Sequence, residues 1–194
     1  MRRRADASRV PVRGDARTNR CGASRAELVD ATGTERDIDV LVMSTGFQPT
    51  RFLANIEVVG RGGTRLHDVW EERASAFLGV TVPKFPNYFV LYGPNTNGGM
   101  SIIAQLERQA EIAVSSIARL QKQGLRAVDT DAAAARGYVR WIDKQLSTHA
   151  SAMNSGCHNY FHTAHGDNVT QWPRTHFIYY VLTRVLRRRG LRFS

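Results

Sequence analysis

The chain has 194 residues, of which 42% are hydrophobic, and this length suits a single globular domain. Its formal net charge of +10 is concentrated at the ends, since residues 1–25 carry eight Arg against two Asp and residues 174–194 carry six Arg and no acid. Two cysteines are too few for a disulfide framework or a zinc site. No apolar run approaches the roughly 20 residues of a membrane span, so we expect a cytoplasmic protein without one.

The first part of the chain predicts a tail followed by a β-hairpin. Residues 1–25 are rich in Arg, Ala, Gly and Ser without apolar periodicity, which predicts a disordered basic leader. The following segment, 26–47, has the pattern of a hairpin, with strands near 27–30 and 38–43 around a turn at Thr32 and Gly33.

Short apolar pieces follow in the interval 48–84. The pieces at 56–59 and 77–82 are predicted to be strands, separated by a glycine-rich turn and a polar segment. Trp70 is interpreted as a core aromatic residue, with a place beside a substrate path as the alternative.

The most informative stretch is an apolar run, then a turn rich in Gly and Asn, then a long helical pattern. Residues 88–92 are predicted to form a buried strand, and a helix is predicted at about 101–123 with Gly124 as its C-terminal cap. The apolar positions assigned to one helix face are Ile102, Ile103, Leu106, Ala110, Ala113, Val114, Ile117 and Leu120. The amides at the start of this helix suit a phosphate, a carboxylate or an electron-rich ring carbonyl.

Two more helices are predicted towards the C-terminus. The first spans about 131–147, is capped within 129–131, and buries Ala135, Tyr138, Val139, Ile142 and Leu146. The second spans about 175–189, with an apolar side made of Phe177, Tyr180, Val181 and Val185. A strand over 177–182 is the alternative, because that run is rich in β-forming residues.

Several ordered segments resemble the class B flavin monooxygenases, the family of Baeyer-Villiger and flavin-containing monooxygenases. The sequence FPNYFVLYGPNTNGGMSII at 85–103 is similar to the C-terminal FAD-domain segment of that family, and DVLVMSTGF at 39–47 is similar to its D-x-[VI]-[VI]-x-A-T-G-[FY] motif, with Ser44 in place of Ala. Further similarity covers 60–70, 77–87 and 155–173 in the family's order. Ordered motifs are more specific than any single one.

Two motifs of the resembled family are absent from this sequence. No G-x-G-x-x-G turn and no F-x-G-x-x-x-H-x-x-x-W signature occur in it. The expected fold is therefore α/β: a partial FAD-binding domain of a two-dinucleotide-binding-domain flavoprotein, lacking the N-terminal Rossmann unit. It would occupy 26–173 and be followed by a basic C-terminal segment, 174–194.

The same resemblance implies site residues. Those expected at FAD are Thr45, Gly46, Asn95, Thr96, Asn97, Met100 and Ser101. Tyr160 and Trp172 are expected on the substrate side. No metal site is expected, and no catalytic residue is assigned.

The function implied is FAD- and NADPH-dependent oxygenation of a ketone or a soft heteroatom in a small-molecule substrate. Because the glycine-rich turns are absent, the chain alone is expected to be inactive and to need a separate N-terminal flavoprotein half. The alternative is a non-enzymatic module that binds nucleic acid or a membrane surface through its Arg-rich ends. The near-neutral interval between those ends argues against specific nucleic-acid binding.

Overall fold

The protein divides into two compact units, an N-terminal unit of residues 1–46 and a C-terminal unit of residues 47–194. A computed structural model describes the following residues: 12–14, 26–29, 34–38, 40, 42, 48–98, 101–153, 161–163 and 165–194.

The N-terminal unit contains a three-stranded antiparallel sheet in the order β1-β2-β3. Its strands are β1 (Val12–Gly14), β2 (Ala26–Val29) and β3 (Glu35–Ile38). The predicted hairpin is confirmed as the β2-β3 pair, but its second strand lies earlier than predicted, because Val40 and Val42 are outside the sheet and exposed. The predicted disorder of 1–25 is wrong at β1, and Thr32 and Gly33 lie outside the described residues.

The C-terminal unit is mainly helical. It has α1 (Leu66–Val69), α2 (Ile102–Gln123), α3 (Ala132–Met153) and α4 (His176–Gly190), together with the antiparallel pair β4 (Val128–Thr130) and β5 (Leu191–Phe193). A short 3-10 turn lies at Arg61–Gly63.

The strands predicted at 56–59, 77–82 and 88–92 are wrong. The first two ranges form only isolated bridges, Val59 with Arg65 and Phe77 with Thr81. The third is irregular, and a positive φ of 58° at Tyr92 bends its end away from an extended course.

The predicted limits of α2 and the predicted start of α3 are confirmed by their caps. Ser101 accepts a hydrogen bond from the Ala104 amide at 3.5 Å, and Gly124 ends α2 with a φ of 63°. Asp131 Oδ1 accepts the Ala134 amide at 2.8 Å and begins α3, which extends beyond the predicted end to Met153. Capping residues act locally, so the sequence alone specifies them.

The predicted buried face of α2 is mostly wrong. The residues that α2 buries are Gln105, Gln109, Ile112, Ser116 and Leu120, so only Leu120 belongs to both sets. The apolar positions Ile103 and Val114 are 69% and 65% exposed. Gln109 of α2 hydrogen-bonds to Tyr92 and Tyr179, and these contacts turn a polar side of the helix inward.

The C-terminal helix α4 is confirmed, and the alternative strand over 177–182 is wrong. Its predicted apolar side is also wrong, because Phe177 is 73% exposed while Tyr179 is fully buried. The helix includes Gly190 as its last residue. Residues 174–194 therefore form part of the core of the C-terminal unit, with Leu191 in β5 also buried.

Two hydrophobic clusters hold the C-terminal unit together. The larger one contains ring pairs between Phe77 and Tyr138, with centroids 5.7 Å apart, and between Trp172 and Tyr179, 5.0 Å apart. The smaller cluster surrounds Trp70, which is 8% exposed, so its interpretation as a core aromatic residue is confirmed.

Candidate functional site: the turn at 93–98 and the start of α2

The turn that precedes α2 is fixed to a second segment through Asn95. The Asn95 side-chain amide donates to the backbone carbonyls of Asn168 at 2.9 Å and Gln171 at 3.2 Å, and its backbone N–H donates to Val169 at 2.8 Å. Asn95 has a φ of 56°, a conformation that Asn tolerates better than most residues. Asn95, which is 6% exposed, therefore bends the turn through its backbone and holds it to residues 168–171 through its hydrogen bonds.

The next two residues have different surroundings. Thr96 is 1% exposed, and its hydroxyl donates to the Gly93 carbonyl at 2.6 Å inside the turn. Asn97 is half-buried, and its Oδ1 accepts the Tyr92 hydroxyl at 2.8 Å. The Thr96 side chain therefore supports the turn from within, while Asn97 lies nearer to its surface.

Gly98 allows the closest approach at this turn. Its φ is 105°, and a Cβ built on it would lie 2.3 Å from Gln171 Oε1. The Asn97 backbone forms a parallel bridge with Gln171, so the turn lies directly against residues 170–172. The positive φ favours glycine here, and a larger residue would also displace the Gln171 side chain.

The turn leads to the N-terminus of α2, where the backbone amides of the first helical turn have no partner within the helix. Ser101 at the cap takes up the amide of Ala104, and the remaining amides combine with the dipole of a 22-residue helix. The chemistry available there is stabilisation of an anion or of an electron-rich carbonyl.

A buried polar chain connects this region to α4. The Tyr92 amide donates to Gln109 Oε1 at 2.7 Å, Gln109 Nε2 donates to the Tyr179 hydroxyl at 3.2 Å, and that hydroxyl donates to the Leu78 carbonyl at 2.8 Å. Burial raises the pKa of Tyr179 well above its ordinary value. Sequence analysis missed Gln109, because hydrophobic periodicity carries no signal for a glutamine that faces a core.

Three of the residues predicted at FAD, Asn95, Thr96 and Asn97, lie in the turn at 93–98, and a fourth, Ser101, is the N-cap of α2; their role at FAD stays a prediction. The predictions for Thr45, Gly46, Met100 and Tyr160 fall outside the described residues. Trp172 is 4% exposed within the larger hydrophobic cluster, and its indole N–H donates to the Thr175 carbonyl at 3.3 Å. Its substrate-side role stays a prediction, although the ring itself is part of the core.

A separate cavity of about 460 Å³ lies in the C-terminal unit. Thr163 and His165, from the segment predicted on the substrate side, line it together with His67 and Trp70. Beside this segment, Arg73 Nη1 hydrogen-bonds to Asp143 at 3.1 Å and lies 3.7 Å from Asp167. Burial acts to lower the pKa of Arg73, but the two carboxylates outweigh it and raise the pKa.

Two observations bear on other classes of function. Two arginines of α4 make contacts within the unit: Arg184 lies 4.8 Å from the centre of the Tyr180 ring, and Arg187 donates to Ser115 Oγ at 2.9 Å. No helix among the described residues has both the length and the apolar character needed to cross a membrane.

Known proteins similar to this chain decide its family. A FAD-binding monooxygenase of Aspergillus niger, ktnD, is 32% identical over 159 residues, which cover 77% of this chain and 26% of that protein. A Baeyer-Villiger monooxygenase of Pseudomonas aeruginosa is 30% identical, covering 81% of this chain and 30% of its own length. The chain is related to the Baeyer-Villiger and FAD-binding monooxygenases. No family model matches it.

Solved monooxygenase structures have the same fold. Cyclohexanone monooxygenase from Rhodococcus sp. Phi1, bound to NADP+, matches 86% of this chain with a TM-score of 0.72 and 23% identity. Oxidised steroid monooxygenase bound to NADP matches 84% with a TM-score of 0.70 and 24% identity. This chain corresponds to 32% and 31% of those chains. It therefore spans about a third or less of the monooxygenases that it matches.

Proposed function

We propose that this chain supplies the closing part of the FAD-binding domain of a cytoplasmic, NADPH-using monooxygenase of the Baeyer-Villiger type. The reaction would oxygenate a ketone or a soft heteroatom in a small-molecule substrate. The supporting observation is the turn at 93–98, which Asn95 holds against residues 168–171 and which precedes the N-terminus of α2 in the chain. One relative is named a FAD-binding monooxygenase and the other a Baeyer-Villiger monooxygenase.

The residues of this turn fit a flavin by the chemistry of their donors. Bound FAD supplies electron transfer and oxygen activation, which protein side chains cannot provide. The start of α2 would stabilise negative charge at the N1-C2 carbonyl edge of the isoalloxazine ring. Asn97, beside Gly98 at the surface of the turn, would contact the ring, whereas the side chains of Asn95 and Thr96 would position the turn from behind.

We also propose that the chain is inactive alone and works with a flavoprotein half that carries the glycine-rich turns. In this family those turns bind the FAD pyrophosphate and the nicotinamide nucleotide, and none occurs in this sequence. The purified chain is expected to be colourless and not to oxidise NADPH when FAD is added. A yellow protein with stoichiometric flavin that consumes NADPH and oxygen would contradict this expectation.

A chimera tests the role of the turn. In it, the full 194-residue chain replaces the matching part of the Pseudomonas aeruginosa relative, and flavin absorbance and ketone-dependent NADPH oxidation are measured. Asn97→Ala is expected to weaken flavin binding and to lower turnover by about 10-fold or more, a loss of roughly 1.4 kcal/mol. Lys144→Ala, on the exposed side of α3, is the matched control. Unchanged flavin affinity and turnover in the Asn97 variant would refute the assignment.

A further inference from the structure

A small cleft lies where the C-terminal halves of α2 and α4 meet β5. Its volume is about 170 Å³, below the roughly 300–1,000 Å³ of pockets that hold a drug-sized ligand, so it suits one small group. We call it the arginine cleft, and its walls are formed by Ser115, Ser116 and Arg119 of α2, Arg187 and Arg188 of α4, and Phe193 of β5.

Two of the three guanidinium groups of the arginine cleft are held in place by uncharged neighbours. Arg187 is half-buried, and its Nη1 donates to Ser115 Oγ at 2.9 Å. The guanidinium carbon of Arg119 lies 4.1 Å from the centre of the Phe193 ring, and Arg119 Nε donates to Gln123 Oε1 at 3.0 Å. A guanidinium has five N–H donors. These contacts therefore orient both groups and use only one donor of each within the described part of the chain.

No carboxylate balances the charge of the arginine cleft among the described residues. No acidic residue lines it, and neither α4 nor β5 contains one. On α2, Glu111 is paired with Arg108, which lies outside the cleft. The C-termini of α2 and α4 each supply about half a negative charge, so the three arginines keep an excess of roughly two positive charges. A doubly charged anion would neutralise that excess.

We propose that the arginine cleft binds a phosphate dianion, either free phosphate or the terminal phosphate of a small phosphomonoester. Arginine is suited to this group because its planar fork forms two parallel hydrogen bonds to phosphate oxygens, which a lysine cannot match. Arginines on two different helices would contact different oxygens of the same group. A phosphodiester, with one negative charge and two free oxygens, fits this arrangement less well.

The arginine cleft is separate from the candidate flavin site. Ser115 lies roughly 20 Å along α2 from Ile102, at 1.5 Å per residue. The turn at 93–98 lies before that first residue of the helix. The inference therefore does not depend on the proposed function, and it can be tested without flavin.

Calorimetric titration of the full 194-residue chain tests the class of ligand. Inorganic phosphate, glycerol 3-phosphate and dimethyl phosphate are compared at about pH 8, where a phosphomonoester is doubly charged, and at one ionic strength, because salt screens exposed charges. We expect one phosphate to bind per chain, and dimethyl phosphate to bind at least about 10-fold more weakly. No saturable phosphate binding, or equal binding of dimethyl phosphate, would overturn the proposal.

The same titration distinguishes the two sources of phosphate. Glycerol 3-phosphate that binds as tightly as inorganic phosphate would support a phosphomonoester ligand, because the ester group then extends out of the arginine cleft. Glycerol 3-phosphate that binds at least about 10-fold more weakly would support free phosphate as the ligand, because a cleft of about 170 Å³ then encloses the whole ion.

Arginine-to-lysine variants test the location of the site. Arg187→Lys keeps the positive charge but loses the planar fork, and it should weaken phosphate binding at least about 10-fold. Arg184→Lys is the matched control, because Arg184 is on the same helix but lies over the Tyr180 ring outside the cleft, and it should leave the affinity unchanged. No loss in Arg187→Lys, or an equal loss in both variants, would overturn the proposal, because binding would then follow net charge rather than this cleft.

A second variant guards against a folding defect in the first. Arg119→Lys, on the α2 side of the arginine cleft, does not disturb the contact between Arg187 and Ser115, and it should also weaken phosphate binding at least about 10-fold. Because a ligand of the folded state raises its unfolding midpoint, phosphate should stabilise the parent chain and Arg184→Lys against heat more than it stabilises either cleft variant. Equal stabilisation of all four proteins would refute this site.

Discussion

Gly190 lies directly against the ring of Phe77, so that a Cβ built on Gly190 would be 2.2 Å from Phe77 Cζ. The last turn of α4 therefore packs on the larger hydrophobic cluster, and β5 starts immediately afterwards beside β4. This glycine, the last residue of α4, is a point of close packing.

This contact predicts the effect of enlarging Gly190. Gly190→Ala should lower the free energy of unfolding by about 1–3 kcal/mol, because the added methyl group displaces a buried ring. The matched control is Gly137→Ala in α3, where a Cβ meets nothing within 4 Å, and this change should raise stability by about 0.5–1 kcal/mol. Urea unfolding followed by circular dichroism compares the two variants. Equal effects would show that the Gly190 contact is not tight.

The two buried tyrosines are expected to respond in opposite ways to loss of their hydroxyl groups. Tyr179→Phe removes the donor to the Leu78 carbonyl and the acceptor for Gln109, and should cost about 1–3 kcal/mol. The Tyr138 hydroxyl is buried with no hydrogen-bond partner among the described residues, so Tyr138→Phe should be neutral or stabilising. Thermal unfolding of both variants checks this difference. A larger loss for Tyr138→Phe would refute the assignment of the hydrogen bonds.

Burial also predicts instability in alkali. It raises the pKa of both Tyr138 and Tyr179 above the ordinary value of 10.0, so the folded protein favours the neutral phenols. Their contribution to stability is complete below pH 10.0 and is lost as pH rises through the higher folded values. The midpoint of urea unfolding should therefore fall above pH 10, and less so in Tyr138→Phe than in the parent protein. An identical slope would contradict this.

Acid should weaken the start of α3. The Ala134 amide and then the Arg192 side chain lower the pKa of Asp131 below its ordinary value of 3.8. This contribution to stability is complete above pH 3.8 and is lost as pH falls through the lower folded value. Asp131→Asn keeps a capping oxygen but should flatten the dependence below pH 4. Parallel acid titrations of the variant and the parent test this, and an unchanged slope in the variant would contradict it.

The clamp at Asn95 depends on a donor, whereas Asn97 uses an acceptor. Asn95→Asp places a carboxylate against the carbonyls of Asn168 and Gln171 and should cost at least about 2 kcal/mol. Asn97→Asp keeps the oxygen that accepts from Tyr92 and should cost less than about 1 kcal/mol. Chemical unfolding measures both changes. Similar losses would show that the Asn95 amide is not what fastens the turn.

Several predictions were correct because they depend on contacts between residues that are close in sequence. Ser101, Gly124 and Asp131 mark helix ends through contacts within three or four residues, so α2 and α3 could be placed from the sequence. The ordered motifs likewise predicted the family that the relatives support. The turn with Asn95 and Asn97 precedes α2, and its role at FAD stays a prediction. The structure was needed to show that Asn95 acts as a donor and Asn97 as an acceptor.

Only the tertiary structure decided which side of each helix is buried and which apolar runs become strands. Periodicity identifies the apolar sector of α2, but Gln109 bonds to Tyr92 and Tyr179 and turns a polar sector towards the core. The run 88–92 has the residues of a strand, yet it is irregular in the structure, where the Val90 amide donates to the Val80 carbonyl at 2.8 Å outside any sheet. A strand needs a paired neighbour and a buried face needs a partner, and both are supplied by distant parts of a fold rather than by the residues themselves.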